Sequence, residues 1–219
     1  MPMDAQYSFD AAVDEMVLRF GRRNDNSFQA RCREWLNSAM YRAAASLIDA
    51  PDLEDTLTLT IDNTVNEYDL RTTTPPITDI IGIKYVKNLW TGYRMRRFSF
   101  EEYRQLVNQA NGDPMRWSRK GYVLALDPVP NNDTTTMTIE YRRLPEAGVL
   151  EFDSKHHDSL IKIAVSIGWS ALMEHQRGQS VMAELPPTWQ AALAQPLSQE
   201  QWEAMWDPDL GLRSMASGY

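Results

Sequence analysis

The sequence predicts an α+β protein: a helical bundle of about three main helices, an inserted antiparallel β-rich subdomain, and an extended C-terminal tail. Three observations predict it. Apolar residues recur at helical spacing before residue 50 and again from about 154 to 176. Between those stretches the period drops to two, in Thr56-Leu-Thr-Leu-Thr-Ile61 and Thr136-Met-Thr-Ile-Glu-Tyr141. Beyond Gly178, prolines at 186, 187, 196 and 208 divide the chain into short pieces. The expected organisation is a bundle from 1–50 and 152–178, a β-rich insertion over 51–151, and a tail over 179–219.

Taken in order, Ser8 caps a first helix that has Asp10 in its opening turn and Phe9, Ala12, Val13, Met16, Val17 and Phe20 on one face, with Gly21 as its stop. Asn26 or Ser27 begins a longer helix with the stripe Phe28, Cys32, Trp35, Leu36, Ala39, Met40, Ala43, Leu47 and Ile48, ended by Pro51. Leu57, Leu59 and Ile61 share one strand face, Asp62-Asn63 is turn chemistry, and Glu67 to Leu70 is expected to pair back. Ile77 to Val86 reads as a long strand with a bulge at Gly82. Asn88-Leu-Trp-Thr-Gly92 turns it, and Tyr93 to Phe98 returns. Ser99 with Glu102 forms the capping box of a short helix from Phe100 to Gln109. Tyr122 to Leu126 and Met137 to Tyr141 read as two arms of one hairpin, joined by a linker that begins Asp127-Pro-Val-Pro-Asn-Asn-Asp133. Asp153 or Ser154 starts the last long helix, which buries Leu160, Ile161, Ala164, Val165, Gly168, Leu172 and Met173, reaches about Gln176 and stops at Gly178. Ser198 caps a short helix over Gln199 to Trp206, with Trp202, Met205 and Trp206 on one face.

At 219 residues the chain suits one domain with a large insertion. The single Cys32 excludes an internal disulfide and a multi-cysteine metal site. No apolar run approaches the roughly 20 residues that span a bilayer, and the first residues have no signal-peptide pattern, so a cytosolic origin without membrane contact is expected. A net charge of −8 argues against a general nucleic-acid binder. Local basic groups remain: Arg94, Arg96 and Arg97; Arg116, Arg119 and Lys120; Arg142 and Arg143. On strands such charges mark solvated faces or protected edges, or else contact with an acidic partner or DNA.

His156-His157-Asp158, with Glu174 and His175 further along, is the only cluster suggesting metal or acid–base chemistry. Adjacent histidines on a helix point about 100° apart and cannot both face one metal without another element. No Gly-rich phosphate loop, Gly-x-Ser-x-Gly elbow or His-Glu-x-x-His motif is present. The expectation is a binding protein, neither an enzyme nor a cofactor carrier. The alternatives are a small metal-dependent hydrolase centred on His156, His157 and Asp158, and a DNA-binding regulatory protein using Arg94 to Arg97. The face of Trp202, Met205 and Trp206 either folds back onto its own domain or docks into a partner's groove as an aromatic anchor.

In its order of elements the chain resembles the head–tail adaptor (connector, or head-completion) proteins of tailed bacteriophages. The resemblance rests on the amphipathic opening helix, the second helix from Phe28 to Ile48 running into strands, and Tyr122-Val-Leu-Ala-Leu-Asp-Pro-Val-Pro130. It continues through Thr136-Met-Thr-Ile-Glu-Tyr-Arg-Arg-Leu-Pro145 before the helix from Ser154, and covers roughly residues 9 to 178. It implies a structural subunit of a homo-oligomeric ring, usually of twelve copies, in the neck of the virion. Such a ring joins the portal protein to the tail or nozzle protein and extends a channel that DNA traverses without specific binding. Assembly is expected in the host cytoplasm. The resemblance carries over no catalytic residue. It makes Trp202, Met205 and Trp206 candidate portal anchors, and leaves Arg94, Arg96, Arg97, Arg142 and Arg143 as candidate interface or channel residues.

Overall fold

The computed structural model describes residues 8–21, 25–46, 51–106, 111–131 and 136–195. The fold is α+β, as the patterning predicts. Two compact units make up the chain. Among the described residues, those from Glu54 to Arg143 form a β unit, and those of 8–53 and 144–195 form a helical unit.

The helical unit holds α1 (Phe9–Arg19), α2 (Asn26–Ala45), α4 (His157–Ala171), α5 (His175–Ala183) and α6 (Pro187–Ala194), numbered with α3 (Phe100–Arg104) of the β unit. The Ser8 hydroxyl accepts the Ala11 N–H at the start of α1, and Asp25 accepts the Phe28 N–H at the start of α2. Gly21 (φ +62) ends α1 in the left-handed conformation. α4 is buried around most of its circumference and packs against α1, α2 and α5, as a central helix should. Its Gly168 faces an aromatic cluster in which Phe20 lies 5.4 Å from Phe28, 5.5 Å from Trp35 and 4.7 Å from Trp169. A Cβ added there would lie 2.6 Å from Trp35 Cε3 and nearer still to Phe20 Cζ. The glycine is therefore what lets α4 approach these rings.

The last helix differs from the expected single rod ending at Gly178. A 3-10 turn at Ser154–His156 leads into α4, which ends at Ala171, and α5 starts at His175. Between them the Glu174 N–H reaches Trp169 O (2.8 Å) and the Met173 N–H reaches Ser170 O (3.0 Å). Met173 adopts φ +63. This is a Schellman closure with methionine where glycine is usual, so the sequence carries no glycine to announce it. Gly178 lies within α5 instead, where a Cβ would come 3.0 Å from Ser166 O. Residues expected to begin a tail of short pieces are also helical: Pro187 opens α6, and Leu185, Trp189 and Leu193 are buried.

Among its described residues the β unit contains nine strands. β1 (Glu54–Thr60) and β3 (Ile80–Asn88) flank β9 (Thr136–Arg143) in an antiparallel sheet with Glu54 opposite Arg142 and Leu57 opposite Ile139. Register shifts at Ile80/Gly82 and Ile83/Tyr85 place the expected bulge at Gly82. A second sheet has the order β2 (Glu67–Asp69), β7 (Val123–Asp127), β6 (Arg116–Lys120) and β4 (Arg96–Arg97), the last pair parallel. β5 (Asn111–Gly112) and β8 (Val129–Pro130) form a short parallel pair. Leu57, Ile83, Val86, Met137 and Ile139 of the first sheet share one buried cluster with Trp117, Leu124 and Leu126 of the second.

Pairing departs from the expected hairpins. β7 joins β6 through a tight turn at Gly121 (φ +56), while β9 joins β1 and β3, so the two presumed arms belong to different sheets. Likewise β2 pairs with β7 rather than β1, and the return after the Asn88 turn touches β3 only at Lys87–Arg94. The missing partner was β6, whose Arg-Trp-Ser-Arg-Lys sequence looks too polar for an inner strand. Arg119 resolves this. Its buried guanidinium donates to Gly121 O (2.5 Å) and to Ile80 O and Ile81 O of β3 (3.1 and 3.2 Å), linking the two sheets with satisfied hydrogen bonds. The capping box of Ser99 and Glu102 on α3 forms as expected. Among the described residues no helix is long and apolar enough to cross a membrane.

Candidate interaction surface

At the end of β3 the chain makes a turn in which each residue from 89 to 93 is tied down. The buried Asn88 side chain accepts the N–H groups of Trp90 (2.9 Å) and Thr91 (3.3 Å). Its backbone holds Gly92 and Tyr93 at 2.9 and 3.0 Å, and the Leu89 N–H bonds Thr136 O at 3.0 Å. Gly92 supplies the left-handed φ of +73. The side chains carried by this rigid turn face solvent: Trp90 is 76% exposed, Tyr93 75% and Leu89 45%. Large aromatic side chains on a preformed backbone lose little entropy on contact, a property of interface anchors.

Cations flank the turn. The Arg94 guanidinium lies 4.1 Å above the Tyr85 ring. Tyr85 hydrogen-bonds Glu140, which with Lys84 holds the Glu140 carboxyl below its usual range. On the exposed β4 edge, Arg97 lies 5.5 Å over Trp117, and Arg116 lies 5.2 Å over Phe98 while pairing with Asp127. Arg104 and Lys120 both lie over Phe100. Exposed Met115 is held beside them by the Arg96 N–H to Met115 O bond of 2.9 Å. The guanidinium faces cover rings and keep their charge at the rim of an open strand edge.

Of the residues predicted from sequence, Arg94, Arg96 and Arg97 meet here. Arg142 and Arg143 do not, because they sit on β9 in the other sheet. The Arg142 side chain is only 12% exposed, with Nη2 3.6 Å from Glu54 Oε1. Trp202, Met205 and Trp206 lie outside the described residues. The His156-His157-Asp158 cluster is taken up by packing. His156 meets the Trp189 ring edge-on at 5.5 Å, and His157 Nε2 lies 2.7 Å from Phe152 O. Asp158 binds Arg19 at 2.7 Å and Lys162 at 3.0 Å, and the Arg19 hydrogen bond is the main cause holding its carboxyl below the usual range. No three His, Cys, Asp or Glu side chains converge on a metal position among the described residues.

Sequence patterning overlooked Trp90, Tyr93 and Met115, and it placed Met173 in the core, whereas Met173 is 82% exposed. The available signal was an aromatic pair within turn chemistry, since a turn has no core to bury it. The arrangement provides apolar anchors and cations on a fixed frame, a chemistry of contact.

Residues 9–214 match a family model described as SU10 adaptor protein. No curated protein matches the chain.

Proposed function

Since the chain belongs to the SU10 adaptor family of phage head–tail adaptors, a family of structural virion proteins, we propose that it is a neck subunit joining portal to tail. In this reading twelve copies form a ring beneath the portal, its lumen prolonging the DNA channel. The helices act as a bundle carrying the inserted β subdomain. The segment beyond the described residues reaches the portal with Trp202, Met205 and Trp206 as its anchors, and the opposite side of the ring receives the tail or nozzle protein. Arg94, Arg96 and Arg97 serve subunit or channel contacts. The ring assembles in the host cytoplasm and catalyses nothing.

The observation that carries this reading is the family match over nearly the whole chain. Charge supports it. A ring of subunits each at −8 repels DNA, which favours sliding over sticking. Weak individual contacts suffice, because closed symmetry makes each copy hold two neighbours and a platform together. The test is to mix purified protein with cognate portal rings and image the product by electron microscopy. A stacked ring is expected, and portal rings that remain bare overturn the proposal. Deleting residues from Pro196 onward should abolish stacking while leaving the melting of the remaining fold unchanged.

A further inference from the structure

Resting on the ring reading, we propose that the Leu89–Tyr93 turn with Arg94 is the contact between subunits, and that its occupant is the helical unit of a second copy at Met173 and Glu174.

The argument is one of charge complementarity around exposed apolar groups. In the β unit exposed Trp90 and Tyr93 stand by Arg94, and exposed Met115 by Arg116. In the helical unit exposed Met173 stands beside Glu174, a solvent-exposed carboxylate that also pairs with Arg177 Nε at 3.1 Å. The sequence amplifies this division. Residues 84–120 carry nine Lys and Arg against three Asp and Glu, whereas residues 144–197 carry six Asp and Glu against three Lys and Arg. Two copies meeting through the same patch would set arginine against arginine. A contact between unlike patches sets opposite charges together around apolar anchors. Such a heterologous contact repeats from copy to copy and closes into a ring when the rotation permits.

Both sides are prepared for contact. The turn is pinned by Asn88 and by the Leu89–Thr136 bond, so Trp90 and Tyr93 are already held out. Met173 occupies a left-handed position (φ +63) where glycine would be easier, and it puts a large apolar side chain 82% into solvent.

The test uses the full chain with the photoreactive residue benzoylphenylalanine in place of Trp90, irradiated at high protein concentration, with the products mapped by mass spectrometry. A covalent dimer cross-linked to the peptide around Met173 is expected. In sedimentation velocity, Trp90→Ser with Tyr93→Ser should weaken self-association by roughly tenfold or more. Arg94→Glu should weaken it too, and adding Glu174→Arg should restore it. All these side chains are exposed, so unchanged circular dichroism verifies the fold. Absence of any covalent dimer, or cross-links confined to the β unit of the second copy, overturns the proposal. If the Trp90/Tyr93 variant still builds complete rings on the portal, this interface fails while the ring reading stands. If wild-type protein leaves the portal bare, the ring reading itself fails.

Discussion

Replacing Gly168 with alanine tests the packing of the helical unit most severely. The new methyl group would lie 2.6 and 2.8 Å from two carbons of Trp35, and closer to Phe20 Cζ. Comfortable carbon contacts begin near about 3.5 Å, so the rings must move by about 1 Å. Phe20 has nowhere to go, since Phe28, Trp35 and Trp169 enclose it within 5.5 Å. Overpacking of this kind costs about 1–3 kcal/mol, and a contact against rigid rings belongs at the upper end. Alanine returns about 1 kcal/mol of helix propensity. The net loss is about 2 kcal/mol. In a unit of about 100 residues this lowers Tm by about 8–16 °C. Far-UV circular dichroism melts would read it, with Gly82→Ala as the control, because a Cβ there meets nothing within 4 Å. Removing the obstacle with Phe20→Leu should make Gly168→Ala far less costly, a coupling that a double-mutant cycle would detect. An unchanged or raised Tm for Gly168→Ala would refute the reasoning, because helix propensity alone would then outweigh the contact.

Met173→Gly should raise stability by about 1 kcal/mol by relieving the left-handed backbone, as read from chemical denaturation. Arg119→Met should cost the β unit about 2 kcal/mol, because the carbonyls of Ile80, Ile81 and Gly121 lose a buried donor, and loss of that unit's cooperative melt would report it. The Asp158 carboxyl is held below its ordinary value of 3.8, first by the Arg19 hydrogen bond. A depressed folded pKa contributes stability that is present above that value and is lost as pH falls through the folded pKa. Asp158→Asn should therefore flatten the acid side of the stability–pH profile. The effect should stay below about 1 kcal/mol, since the Asp158 side chain is mostly exposed.

Much of the helical half was legible because its signals are local. The hydroxyl of Ser8, the stripe on α2 and the capping box of Ser99 act within a turn or two of themselves. The break after α4 was hidden because a Schellman closure is a backbone hydrogen-bond pattern, and Met173 occupies the position that glycine would have advertised. Strand pairing was the weakest inference, for a related reason. Alternation shows that β7 and β9 are strands without naming their partners, and β6 was concealed by Arg119, a charge buried only because three carbonyls surround it. The exposed anchors were missed for the opposite reason. Trp90 and Tyr93 look like core residues by composition, and only the Asn88-pinned turn shows that they have nowhere to be buried.

The pairing of Glu54 with Arg142 has a kinetic consequence. The β unit enters and leaves the chain on adjacent strands, so once it has folded its two ends lie a strand spacing apart, about 5 Å. Before that, α2 and α4 must find each other across roughly 110 unfolded residues, 46–156. Afterwards they meet as if joined by a hairpin. Where the middle of the chain folds first, it acts as a tether for the outer helices, and insertions inside it leave their search distance unchanged.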